Sequence, residues 1–147
     1  MPWPPHITVA TVVARDNEFL MVEEQDNNQR VFNQPAGHLE PDETLLDAAI
    51  RETLEETGWR VTLDGLIGVY QYYSEHNDTT YLRFCFAASA IFRERENLDS
   101  DIIAAHWLSR EQIAGLPHRS PLVMQCLKDF IDKTPVNLSR IQNFLSQ

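Results

Sequence analysis

Between Gly37 and Trp59 the chain sets Gly37, Glu43, Arg51, Glu52, Glu55, Glu56 and Gly58, the last five of them inside the run RETLEETGW. Leu46, Ala49, Ile50 and Leu54 recur there at helical spacing, which predicts a helix from about Asp42 to Thr57. Pro41 or Asp42 can open it and Gly58 can end it. Side chains three and four residues apart share a helix face, so Glu52, Glu55 and Glu56 fall within one sector of about 100°. Glu52 and Glu56 then stand about 6 Å apart along the axis. Like charges so placed repel by a few tenths of a kcal/mol per pair in water. A solvated acidic face is the ordinary fate of such a run, but the glycine flanks are as specific as the acids. A hard divalent cation, which prefers oxygen ligands, is the natural neutraliser. Arg51, four residues before Glu55, can pair with it or brace a neighbouring carboxylate.

Composition limits what such a helix can serve. A chain of 147 residues with 43% apolar content suits one globular domain, taken as residues 1–147 with a core over about 6–133. Residues 134–147 are expected to fray or form a short helix. The sequence has no apolar run near 18 residues, which predicts no membrane span. The opening MPWPPHITVA lacks the regions of a secretory signal. Cys85 and Cys126 show no metal spacing and read as reduced core thiols of a cytoplasmic protein. A net charge of −10 disfavours binding to duplex nucleic acid. It permits a small phosphorylated substrate where bound metal reverses the local sign.

The spacing Gly37, five residues, Glu43, seven residues, Arg51-Glu52, then Glu55-Glu56, Gly58 and apolar Trp59 resembles the signature box of the Nudix hydrolase family. One position departs from the pattern: Thr53 stands where Ile, Leu or Val is expected. Threonine is close to valine in shape, so a small packing adjustment is expected. The resemblance implies an α/β fold, a single-domain α/β/α sandwich with a mixed sheet. It also implies metal-dependent hydrolysis of phosphoanhydrides. By resemblance, Glu52, Glu55 and Glu56 bind Mg²⁺ or Mn²⁺, with the carbonyl of Ala36 as a further ligand. The first glutamate is often the general base, and Glu52, Glu55 and Arg51 are the catalytic candidates, Arg51 as the brace that orients a glutamate. Gly37, Glu43 and Gly58 are structural parts of the box. A fourth acid is recruited from a later loop; counting six residues back from Trp107 reaches Asp101, with Asp99 as the alternative.

Along the rest of the chain, His6 to Ala14 and Glu18 to Glu24 predict two strands joined by a turn at Arg15-Asp16-Asn17. Gln25 to Arg30 reads as a polar loop, and Val31 to Leu39 holds a short extended stretch. Val61 to Tyr73 and Tyr81 to Phe92 are rich in β-branched and aromatic residues and predict strands. Arg93 to Ser100 is a charged loop, and Ala104 to Leu108 another strand. Ser109 caps a short helix through Ala114. Ser120-Pro121 begins a longer one, with a stripe of Leu122, Val123, Cys126, Leu127, Phe130 and Ile131.

Substrate choice must come from residues outside the box. The stretch Phe32 to Glu40, with Leu82-Arg83-Phe84, Asp99 to Ile102 before Trp107, and Arg119 to Leu122, resembles the NudJ phosphatase branch of the family. That resemblance implies release of orthophosphate from nucleoside tri- and diphosphates and from pyrimidine pyrophosphates (hydroxymethylpyrimidine pyrophosphate, thiamine pyrophosphate). The alternatives are a mutT-like enzyme releasing pyrophosphate and a nucleoside monophosphate, or a nucleotide-sensing domain without turnover. A purely interacting acidic module is a further class. Residues 60 to 80 hold no proline, which disfavours the ADP-ribose branch. A ring could stack on Phe32, Tyr70 or Tyr72, the last two on one strand face and Tyr73 on the other. Arg30 and Arg83 are candidates for phosphate contact, against the commoner surface ion pair, and His38 could touch a phosphate or be structural. His76, His106 and His118 have no metal spacing. The expected partner is a small nucleotide or pyrimidine pyrophosphate, the protein acting as monomer or dimer.

Overall fold

The run HITVATVVAR at the start of the first strand lacks polar alternation, as suits a strand covered on both faces. In the computed structural model, which describes residues 3–145, strand β1 (His6–Arg15) occupies the middle of a mixed sheet. Val9 and Val13 look one way, into clusters with Ala48, Ala49 and Ile50. Ala10 and Val12 look the other way, against Val123, Cys126 and Leu127. Helices therefore cover both faces, the α/β/α sandwich that the resemblance implied.

Strands β2 (Glu18–Asp26), β3 (Gln29–Asn33), β4 (Ala36–His38), β5 (Trp59–Ser74), β6 (Thr79–Arg93) and β7 (Ile102–Ser109) complete the sheet. Its order is β3-β2-β1-β6-β5, with β4 on β1 and β7 on β2. Only β1 and β6 run parallel among the described pairs, so the sheet is mixed. The predicted turn after β1 is present: Asp16 and Asn17 take φ of 51° and 66°, the left-handed pair of a two-residue hairpin. A second such turn corrects the expected loop at Gln25 to Arg30. Asn27 and Asn28, at φ of 52° and 64°, instead join β2 to β3. Polar side chains on both strands had hidden it. Strand β5 likewise starts at Trp59 rather than Val61, directly after the helix.

Helix α1 (Leu45–Thr57) is capped by Thr44, whose hydroxyl accepts the Asp47 N–H at 3.0 Å. Neither Pro41 nor Asp42 opens it, since Asp42 has φ of 63° and lies in the preceding turn. The unusual Thr53 is fully buried, and its hydroxyl donates to the Ala49 carbonyl at 2.7 Å. Its single proton being so used, Thr53 accepts from the buried Thr11 hydroxyl of β1 at 2.8 Å. What looked like a packing adjustment is thus a matched polar pair between helix and sheet.

Gly58 ends α1 at φ of 80°, and a Cβ there would lie 2.1 Å from the Arg95 carbonyl oxygen. Gly58→Ala adds both left-handed strain and that clash. It is expected to destabilise the fold by at least about 2 kcal/mol, read as a lower denaturant midpoint at unchanged slope.

Helix α2 (Arg110–Ala114) follows β7 with a full capping box between Ser109 and Gln112. Helix α3 (Leu122–Asp132) buries Val123, Cys126 and Leu127, whereas Ile131 of the expected stripe is exposed. The tail docks rather than fraying over its whole length. Val136 pairs with Leu66, Leu138–Arg140 forms one 3₁₀ turn, and Leu138 and Ile141 pack on the Val9–Phe86 cluster. Residues 146–147 lie outside the described residues. No described helix is long and apolar enough to cross a membrane.

Candidate active site

Gly37 lies in the short strand β4, and its lack of a side chain makes the site possible. A Cβ at Gly37 would sit 2.0 Å from Cδ of Glu52. The carboxyl of Glu52 thus rests directly on the strand backbone. One helical turn later, Glu56 accepts the Ala36 N–H at 2.9 Å. The contact between Ala36 and Glu56 thus runs through the Ala36 amide.

Arg51 ties the acids together. Its guanidinium donates to Glu43 at 2.6 and 3.0 Å, to Glu52 at 2.8 Å, to Glu55 at 2.9 Å and to the His38 carbonyl at 3.1 Å. The hydrogen bonds from Arg51 hold the Glu43 carboxyl below its ordinary value. Arg51 is held above its own, first by Glu43 and then by Glu52. Glu43 also accepts the Glu40 N–H at 3.1 Å, fixing the turn that leads into α1. Arg51 thus grips Glu43, Glu52 and Glu55 at once.

A third carboxylate joins Glu52 and Glu56. Ligand oxygens of Glu52, Glu56 and Asp99 all lie within 4.8 Å of one another. Asp99 is brought there by the loop after β6, which hangs from the end of α1. The Asp99 N–H donates to the Glu55 carbonyl at 3.0 Å, and Glu94 N–H to the Gly58 carbonyl at 2.7 Å. Asp101, the first choice from spacing, lines the same cleft and lies within electrostatic reach of Glu24 and Glu56. Glu55 engages Arg51 and stands outside the trio.

Burial raises the carboxyls of this trio's glutamates. Glu52 lies above its ordinary value, chiefly through desolvation. Glu56, 7% exposed, is pushed up to about 9, by desolvation first and by Glu24, Glu52 and Asp101 after it. Three crowded carboxylates, of which, among the described residues, only Glu52 is paired with a cationic side chain, are an oxygen donor set that suits a hard divalent cation. Glu24, on β2, extends the acidic wall; burial raises it too, against the pull of Arg119 at 2.8 Å. Reasoning from the box gave Glu24 and Arg119 no role. The available signal was a pair of acids, Glu23-Glu24, inside the apolar strand run before Gln25.

A cleft of about 740 Å³ runs from the acids across the sheet. Thr8 of β1 pairs with His38 of β4 on one side and with Arg83 of β6 on the other. Beyond them, Tyr81 and Tyr72 are direct cross-strand partners, and both line the cleft with His38 and Arg83. The strand order thus arranges acids, then a guanidinium, then aromatic rings. Tyr70 shares the face of Tyr72, as predicted, but is covered by α3, its hydroxyl donating to Asp129 at 2.7 Å. Phe32 is 4% exposed and packs against His106, so neither ring lines the cleft. Arg30 pairs with Glu23 at 2.9 Å. Cys85 and Cys126 are both buried, free thiols, and Cys126 Sγ accepts from Arg83 at 3.7 Å.

A NUDIX domain family model matches residues 4–126. The chain belongs to the Nudix family and is a Nudix hydrolase. Phosphatase NudJ of Escherichia coli strain K12 is 40% identical over 147 residues, spanning 95% of this chain and 92% of the relative. Phosphatase NudJ of Shigella flexneri is similar to the same extent, 40% over 147 residues, with the same coverage of 95% and 92%. A NUDIX hydrolase structure from Nitrosomonas europaea superposes at a TM-score of 0.93 with 39% identity, covering 96% of this chain and 98% of that one. A MutT protein from Methanosarcina mazei Go1 shares the fold, at a TM-score of 0.70 and 22% identity over 90% and 97% of the two chains.

Proposed function

We propose that this protein is a Mg²⁺- or Mn²⁺-dependent phosphatase acting on nucleoside tri- and diphosphates and on hydroxymethylpyrimidine and thiamine pyrophosphates. On this reading it releases orthophosphate. The observation that carries it is the convergence of Glu52, Glu56 and Asp99 oxygens within 4.8 Å at one end of a cleft with aromatic walls. The resemblance to phosphatases of the NudJ branch supports the substrate class.

Glu52, Glu56 and Asp99 would hold the cation, with Asp101, Glu55 and the Ala36 carbonyl as further donors. A divalent ion bound there supplies charge to phosphoryl oxygens and acidifies an attacking water. Arg51 donates to Oε1 of Glu52 and so orients the carboxyl that the resemblance makes the general-base candidate. Burial lifts that carboxyl above its usual value, which makes it the stronger base. Tyr72 and Tyr81 offer a stacking wall that tolerates many rings, because stacking reads no base edge. A single Nudix domain, as monomer or dimer in the cytoplasm, suffices for this chemistry; the buried Cys85 and Cys126 thiols suit a reducing compartment.

A substrate panel with Mg²⁺, read by separate orthophosphate and pyrophosphate assays, tests the reading. A nucleoside triphosphate is expected to yield orthophosphate first. Pyrophosphate with monophosphate as the only products would move the enzyme to the mutT-like class, and saturable binding without turnover would make it a sensor.

A further inference from the structure

Arg83 is the unusual cation of this molecule. It is 6% exposed, yet its oxygen acceptors are neutral amides, Gln34 Oε1 at 3.2 Å and Asn33 Oδ1 at 3.3 Å, with the Cys126 sulfur farther off at 3.7 Å. Among the described residues no carboxylate lies within ion-pair distance of it. The other arginines of this region differ. Arg119 pairs with Glu24 and Asp26 at 2.8 and 3.5 Å, and Arg51 is taken up by Glu43, Glu52 and Glu55. A buried guanidinium without a carboxylate partner is costly unless something else supplies the charge. Arg83 lines the cleft, so its counter-charge can come from a bound molecule.

The surroundings are built to hold the guanidinium still. Gln34, 1% exposed, accepts from Arg83 and donates its own amide to the Val123 carbonyl in the first turn of α3 at 2.8 Å. At the start of that helix the Ser120 hydroxyl accepts the Leu122 N–H at 3.2 Å, and Ser120 and Leu122 reach the cleft wall. A helix start adds partial positive charge beside the guanidinium. Across the sheet, Thr8 separates Arg83 from His38, placing Arg83 two strand spacings, roughly 10 Å, from β4, the strand on which Glu52 and Glu56 rest. Tyr81 is two residues from Arg83 on the same strand face.

We propose that Arg83, positioned by Gln34 and Asn33 at the head of α3, is the anion subsite for the phosphoryl group that stays on the product, between the metal-binding acids and the Tyr72–Tyr81 wall. The proposal deepens the phosphatase reading and rests on it for the direction of cleavage, though not for the anion site itself. When a diphosphate or pyrophosphate substrate loses its terminal phosphate, the monophosphate that remains is held by charge and by stacking. Selectivity falls on the presence of that inner phosphoryl group rather than on the ring.

Binding of uridine monophosphate to the whole protein in EDTA tests this without metal or turnover. By calorimetry, Arg83→Gln is expected to weaken the monophosphate at least tenfold, Arg83→Lys less, and uridine in neither case. Equal affinity of wild type and a folded Arg83→Gln overturns the subsite. Because Arg83 is buried, the wild-type protein provides a second readout. Its Arg83 Nε–H and the Leu122 and Val123 amide signals are expected to shift in NMR spectra on titration with uridine monophosphate. Unmoved signals at saturation overturn the subsite as well. If binding depends on Arg83 while a triphosphate gives pyrophosphate, the subsite stands and the orthophosphate reading falls. The converse pattern refutes the subsite and leaves that reading intact.

Discussion

A Glu56→Gln enzyme is expected to lose activity by more than the roughly 10–100-fold that removal of an outer-shell partner costs a metal site. The same change is expected to stabilise the metal-free fold. Glutamine keeps an oxygen to accept the Ala36 N–H, now made at 2.9 Å. It reproduces the neutral acid but never yields the carboxylate that a cation needs. With the Glu56 carboxyl pushed up to about 9 in the fold, its stability contribution is full below about 4.5 and lost as pH rises through about 9. At pH 7 the loss is about 3 kcal/mol, and the variant should not suffer it. Steady-state kinetics with saturating Mg²⁺, and melting in EDTA across this pH range, check both halves. Near-normal Mg²⁺-dependent turnover would remove Glu56 from the ligand set.

Gly37→Ala is expected to act through Glu52 alone. Gly37 does not take a left-handed φ, so alanine fits the backbone. Its Cβ, however, would fall 2.0 Å from Glu52 Cδ, and that carboxyl must move. Moving it breaks the 2.8 Å contact with Arg51 and disperses the trio. Displacement of a catalytic group by about 1 Å costs on the order of 100-fold in rate. The expected signature is a fall in kcat with KM little changed, in a protein that melts near the wild-type temperature. Activity within about twofold of wild type would show that Glu52 has no positional role.

These predictions rest on a helix that could be read in the sequence and on neighbours that could not. The periodic Leu46, Ala49, Ile50 and Leu54, with Gly58 behind them, specify α1 through local rules, and the hairpin at Asp16-Asn17 is equally local. The hairpin at Asn27-Asn28 escaped because Gln25, Asp26, Gln29 and Arg30 show no apolar alternation. Thr44 took the capping role from Asp42 because Asp42, at φ of 63°, lies in the preceding turn and Thr44 directly precedes the first helical residue, Leu45. Counting from Trp107 pointed to Asp101, but a tertiary hydrogen bond from Asp99 to the Glu55 carbonyl decides which aspartate meets Glu52. Tyr70 and Tyr72 share a strand face by parity; only the position of α3 covers the first and leaves the second open. Arg83 illustrates the limit most clearly. A lone arginine in a strand suggests a surface ion pair, and its burial among neutral amides is a property of the assembled sheet.

The loop bearing Asp99 is suspended from the Glu55 and Gly58 carbonyls, at the end of the helix that bears Glu52 and Glu56. The three carboxylates are therefore parts of one rigid body rather than two halves that must close. Melting of the last turn of α1 and dispersal of the ligand cluster become the same event. An ion held there would draw its affinity from contacts that also hold the helix, and heat would release ion and loop together.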